Sequence, residues 1–146
     1  MIETEVVREL AFPAERVWHY LSWRGIANIR GDAFFKGVSF EDDMNSVGSV
    51  RVLHLQDGTA VREVAEELDD RARRYAYRPL TLGSLPVENY RGSVAVHAID
   101  PDCSIVTIRS CCDPVGISQD AWQEMYTSME NALLDLIERN LSDYTV

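Results

Sequence analysis

The stretch from Gly48 to Tyr90 constrains the fold of this chain more than any other. It reads as three successive alternating strands, joined by turns at Asp57-Gly58 and Asp69-Asp70. The Asp-Gly pair is a strong hairpin signal, because a tight two-residue turn needs positive φ. Alternation sends every second side chain to one face. One face then carries Arg51, Leu53, Leu55, Val61, Glu63, Ala65, Tyr75 and Tyr77. A face that mixes apolar residues with a few ionisable and phenolic groups suits a ligand cavity better than a plain core.

The rest of the chain supplies what such a sheet needs. Ile2 to Leu10 reads as a strand, and Pro13 opens a helix through about Leu21, since proline fits a first helical turn. Trp23 to Ile29 reads as a second short helix, and Phe35 to Glu41 as a strand. The three central strands are expected at about Ser49–Gln56, Thr59–Leu68 and Ala72–Leu80. A loop holding Gly83 and Pro86 follows, from Thr81 to Asn89. Tyr90 to Ile99 and Cys103 to Cys112 form a hairpin around Asp100-Pro101. Ser118 caps a long helix to about Asn140, with Trp122, Met125, Met129, Leu133, Leu136 and Ile137 at helical spacing. The fold class is α+β, with the order β-α-α-β-β-β-β-β-β-α and about seven antiparallel strands. The 146 residues are expected to form a single domain (1–146). A chain of this length buries roughly 68–70% of its unfolded surface, enough for a core plus an internal pocket.

Several of these segments, in this order, resemble the START/Bet v 1-like (SRPBCC) superfamily and its polyketide cyclase/dehydrase-like branch. They are AFPAERVW (Ala11 to Trp18), GSVR (Gly48 to Arg51), Asp57-Gly58, VRE (Val61 to Glu63), LDD (Leu68 to Asp70), YAY (Tyr75 to Tyr77) and LPVENY (Leu85 to Tyr90). The resemblance implies a helix-grip fold, in which a curved antiparallel sheet wraps around the C-terminal helix and encloses a cavity. FFKGVSF (Phe34 to Phe40), VRE and ENY are also similar to strands of the plant abscisic-acid receptors that contribute polar ligand contacts. Carried over residue by residue, that likeness implies roles for Lys36, Glu63 and Tyr90. The receptors' Ser-Gly-Leu-Pro gate is replaced here by the short turn Gln56-Asp57-Gly58-Thr59, and their His-Arg-Leu latch is absent. Hormone-gated phosphatase binding is therefore not implied.

The candidate ligand-binding set is Lys36, Arg51, Leu53, Leu55, Val61, Glu63, Tyr75, Tyr77, Tyr90, Trp122, Met125, Met129 and Leu133. A carboxylate among apolar neighbours, as expected for Glu63, should have a raised pKa unless a cation or donors face it. Arg51 has the parity to face it. Tyrosines pair an apolar body with a polar tip, and methionines fill irregular gaps and touch rings. Ordinary strand packing is the alternative for the tyrosines, of which Tyr77 and Tyr90 fit the cavity better than Tyr75, and a methionine stripe at helical spacing is more often plain core.

Two classes of function stay open. One is a binding or carrier protein for a hydrophobic, aromatic or polycyclic, oxygenated molecule. The other is a cyclase, aromatase or dehydratase-like enzyme that uses Glu63 and a tyrosine such as Tyr90 for proton transfer. A chaperone-like partner protein ranks below both. His54 and His97 have outward parity, and no histidines stand at metal-ligand spacing, so neither a metal site nor a cofactor is expected. Cys103, Cys111 and Cys112 form neither a disulfide framework nor a zinc signature. The net charge of −10 argues against a nucleic-acid surface, which needs a basic patch. No apolar run approaches the ~18 residues of a membrane helix, and the start lacks the apolar core of a signal peptide. A cytoplasmic monomer or homodimer without membrane insertion is the resulting expectation.

Overall fold

The computed structural model describes residues 1–143. Seven strands form one antiparallel sheet: β1 (Ile2–Leu10), β2 (Phe35–Phe40), β3 (Val50–Leu55), β4 (Ala60–Asp69), β5 (Arg74–Thr81), β6 (Val87–Asp100) and β7 (Cys103–Pro114). Their order across the sheet is β1-β7-β6-β5-β4-β3-β2. Sequential strands are neighbours throughout, except that β1 closes against β7. The first helix, α1 (Ala14–Leu21), follows β1, then a 3-10 turn at Gly25–Asn28. The long α2 (Gln119–Asp143) comes last and packs on β1 and β7. This is the helix-grip arrangement expected from the alternation and the helical stripe.

Local chemistry explains the boundaries. Pro13 is the N-cap of α1, and its carbonyl accepts from the backbone N–H groups of Arg16 and Val17. The Ser118 hydroxyl accepts from the Ala121 backbone N–H at 3.0 Å and so caps α2. Gly58, at φ +87°, supplies the positive φ of the β3–β4 turn. At the next turn the Asp69 carboxylate accepts from the backbone N–H groups of Arg71 and Ala72, both at 3.0 Å. Strand β6 begins at Val87, three residues before the expected Tyr90. Register shifts between Glu88 and Arg91, where Asn89 has φ +55°, allow that early start.

The core lies between the concave face of the sheet and α2. Trp23, Trp122, Tyr126, Leu134 and Ile137 are sealed there, with Val96, Val106 and Ile108 from the sheet. All eight residues assigned to the inner face of β3, β4 and β5 are buried: Arg51, Leu53, Leu55, Val61, Glu63, Ala65, Tyr75 and Tyr77. His54 and His97 face outward, and so does His19 on α1. No helix among the described residues is long and apolar enough to cross a membrane.

Two expectations are corrected. Lys36 is exposed rather than turned into the sheet's concavity. The pairing of β2 with β3 shifts between Phe35 and Gly37, so Lys36 is the extra residue of a bulge. Counting back from the inward Val38 would place residue 36 inside, but the bulge gives that position to Phe35. Met125 is 37% exposed, because the buried stripe of α2 runs Trp122, Tyr126, Glu130, Leu133, Ile137 and Leu141. The true face is rotated by one residue from the Met125–Met129 reading at its start.

Candidate functional site

The site begins with a cross-strand pair. Arg51 on β3 stands directly opposite Glu63 on β4. Arg51 Nε donates to Glu63 Oε1 at 2.7 Å, and both residues are under 5% exposed. Arg51 Nη1 also donates to the Trp23 carbonyl at 3.2 Å and to the Tyr75 hydroxyl at 3.1 Å. The guanidinium lies 4.2 Å from the centre of the Trp23 ring, 4.9 Å from that of Tyr75 and 5.4 Å from that of Tyr77. A desolvated cation against three aromatic faces is held by their quadrupoles as well as by the carboxylate.

A second layer fixes this group. Trp23 Nε1 donates to Ser49 Oγ at 3.0 Å, and Ser49 Oγ donates to Asp42 at 2.8 Å. The Val50 backbone N–H donates to the other oxygen of Asp42 at 2.8 Å. These donors, Val50 foremost, hold the Asp42 carboxyl below its ordinary pKa. Tyr77 lies across from Gly92 on β6. A Cβ on Gly92 would fall 2.3 Å from Tyr77 Cζ, so a larger residue would push the phenol away.

Between this polar end and α2 lies a cavity of about 40 Å³. Its walls include Arg51, Leu53, Val61, Glu63, Tyr75, Tyr77, Tyr90, Met129 and Leu133. Nine of the thirteen residues expected from the sequence therefore meet around one space. Leu55 and Trp122 are buried in the core without lining it. Lys36 and Met125 lie on the outer surface. The volume admits ordered water, but falls far short of the roughly 300–1,000 Å³ of drug-sized ligand pockets.

The residue missed by sequence reasoning is Glu130. It projects from the buried face of α2 into the cavity wall and is 6% exposed. Its carboxyl makes no hydrogen bond or ion pair among the described residues. Burial pushes its pKa up to about 8; the charge of Glu63 adds to this, and Arg51 opposes it. The signal was present in the spacing: Trp122, Tyr126 and Glu130 recur every four residues, and Leu133 and Ile137 continue their stripe. A reading that seeks only apolar residues passes over an acid on such a stripe.

The other titratable groups fall into place around it. Burial pushes Glu63 up, and the Arg51 guanidinium offsets part of that effect. Burial raises the phenols of Tyr77 and Tyr90 far above their ordinary range. Both are protonated at neutral pH and can donate or accept hydrogen bonds, but neither can act as a phenolate base. The rings of Tyr77 and Tyr90 sit 6.2 Å apart, centre to centre.

Over the cavity runs the loop between β5 and β6, which contributes Leu82 and Leu85 to its wall. The loop is tied to the β3–β4 turn. Ser84 backbone N–H donates to Thr59 Oγ1 at 3.1 Å, and Thr59 Oγ1 donates to Asp57 Oδ1 at 2.7 Å. Donors from Ser84 and Thr59 hold the Asp57 carboxyl at about 2. Gly83, at φ +57°, permits the approach, since a Cβ there would meet Thr59 Oγ1 at 2.8 Å.

Comparison with known proteins adds the following. The family model described as polyketide cyclase/dehydrase and lipid transport matches residues 1–143. No curated protein matches. Among solved structures, the protein XoxI from Bacillus cereus superposes with a TM-score of 0.84 at 20% identity, over 98% of this chain and 97% of that one. An uncharacterised protein from Bacillus thuringiensis gives 0.81 at 19% identity, over 95% and 98%. A protein from Thermobifida fusca, solved by NMR in solution, gives 0.73 at 22% identity, over 97% and 95%. At these identities the three structures speak for the shared fold alone.

Proposed function

The chain belongs to the polyketide cyclase/dehydrase and lipid transport family of the SRPBCC superfamily, and from that premise we propose that it binds a small hydrophobic molecule between its sheet and α2. The observation that carries this reading is the buried cavity with apolar walls and one polar end. Leu53, Val61, Val94, Ile108 and Leu133 offer contact area, and Tyr77 and Tyr90 present rings suited to an aromatic occupant. Arg51, Glu63 and Glu130 would orient its polar group. A core built only for stability has no use for an unpaired buried carboxyl, because desolvating it costs free energy.

The 40 Å³ cavity describes a closed state. An occupant would enter by displacing Leu82 and Leu85 on the β5–β6 loop and by turning Met129, whose unbranched side chain readily changes rotamer. Lys36, exposed on the outer surface, does not contribute to orienting an oxygenated ligand in this cavity.

A catalytic reading has one observation in its favour. A cavity carboxyl with a pKa of about 8 is poised for proton transfer near neutral pH. In that reading the proton-transfer role expected of Glu63 and Tyr90 passes to Glu130, because Glu63 is engaged by Arg51 and the Tyr90 proton is held too tightly.

Titration of the tryptophan fluorescence with a panel of aromatic and steroid-like probes tests binding, with product analysis of every binder. Native mass spectrometry of protein from its own host tests it without a chosen probe. Saturable binding that is weakened in Leu133→Trp, which fills the cavity, supports the proposal. No saturable binding and no co-purified molecule would overturn it. Turnover lost in Glu130→Gln with binding retained would favour the enzyme.

A further inference from the structure

The polar end of the cavity holds two carboxyl groups and one guanidinium. Arg51 is committed to Glu63, to the Trp23 carbonyl and to the Tyr75 hydroxyl. Glu130 faces the same space with no cation of its own among the described residues. The surroundings already demonstrate that this end accommodates a desolvated cation: Arg51 rests against the faces of Trp23, Tyr75 and Tyr77. Tyr90 lies one ring further on, beside Tyr77 and in the same wall.

Resting on the proposed binding function, we infer that the ligand carries a basic nitrogen, and that its ammonium group pairs with Glu130 beside the Tyr77 and Tyr90 rings. Three features favour this head group over a neutral or acidic one. A carboxylate head would add a negative charge beside Glu63, whose one countercharge, Arg51, is already engaged. A hydroxyl or carbonyl head could accept a hydrogen bond from protonated Glu130, but that bond joins two neutral groups. An ammonium balances the carboxylates one for one, and its charge-assisted hydrogen bond is about twice as strong as a neutral one. The aromatic faces add a cation–π contribution. The net charge of −10 also concentrates cations around the protein before they enter.

Because Glu130 holds its proton at neutral pH when the cavity is empty, entry of an ammonium would displace that proton. Amine affinity should therefore rise as pH increases toward 8. Affinity for a neutral acceptor should fall over the same range, since its donor is being lost. Glu63 and Arg51 are the charged groups that face Glu130 and modulate this exchange.

The test is calorimetric titration of the full chain with three probes of similar shape: toluene, benzyl alcohol and benzylamine. The expected result is that benzylamine binds about tenfold or more tighter than benzyl alcohol at pH 8. In Glu130→Gln that preference should shrink toward one. Equal or weaker binding of benzylamine in the native chain would overturn the head-group assignment without recourse to a variant. Binding of toluene or benzyl alcohol would then still support the hydrophobic pocket. If none of the three binds, the pocket reading fails and this inference fails with it.

Discussion

Arg51 and Glu63 face each other across β3 and β4 and share a 2.7 Å hydrogen bond in surroundings closed to solvent. Removing one partner of such a pair leaves a buried uncompensated charge, at a cost of about 3–5 kcal/mol. Arg51→Met should therefore destabilise strongly. The double variant Arg51→Met, Glu63→Gln should recover a large part of that loss. Urea unfolding of the two singles and the double checks it. Additive costs would show that the two groups are not coupled.

Stability should decline as pH rises from about 4.5 to about 8. Glu130 has its pKa raised from 4.5 to about 8 in the folded state. The unfolded chain then releases a proton that the folded chain keeps, so the contribution is fully present below pH 4.5 and lost by about pH 8. Glu63 shifts in the same direction. At about 1.4 kcal/mol per pKa unit, the Glu130 contribution is at most about 5 kcal/mol. Glu41, Asp42, Asp57 and Asp113 are lowered instead, so the stability they contribute is lost only on the acid side of that window. Denaturation series at several pH values should give a slope that Glu130→Gln flattens. An unchanged slope in the variant would mean that Glu130 is ionised in the native chain.

The inner face of β3 to β5 was legible because its phase is set at both ends. The Asp57-Gly58 turn fixes the β3–β4 register, and period two then carries Arg51 and Glu63 to the same side. Tyr75 and Tyr77 follow by the same count, although β4 carries irregularities on its β5 side. Lys36 was not legible because a bulge of one residue has no composition signal of its own. Met125 and Glu130 were misread together. A methionine was preferred to an acid on a helix stripe, and that choice turned the helix by one residue. The cavity's small volume could not be read at all, since it depends on how Phe34, Leu82, Leu85 and Met129 close over the space.

Thr59 joins the cavity loop to the neighbouring turn by accepting from Ser84 and donating to Asp57. Thr59→Val keeps the shape and removes these hydrogen bonds together with the 3.3 Å contact between Thr59 Oγ1 and Ser84 Oγ. The bonds are exposed, so the stability cost should be about 1 kcal/mol or less. The effect should fall on kinetics: stopped-flow fluorescence with a binding probe should show faster entry and faster release. Unchanged rates would mean that ligands do not pass the Leu82–Leu85 loop.

Met129 and Leu134 both lie on α2 but in different surroundings, and truncating each separates cavity wall from packed core. Leu134 is fully buried, and Leu134→Ala should cost about 2–5 kcal/mol, the range for a well-packed site. Met129 is half-buried and borders existing free space, so Met129→Ala should cost clearly less, about 1–2 kcal/mol. The same change enlarges the cavity from its 40 Å³. Affinity for a bulkier aromatic probe should then rise relative to benzylamine, while Leu134→Ala should only destabilise. Equal stability costs for the two variants, with no shift in probe preference, would show that Met129 belongs to the packed core and that the cavity does not open on its side.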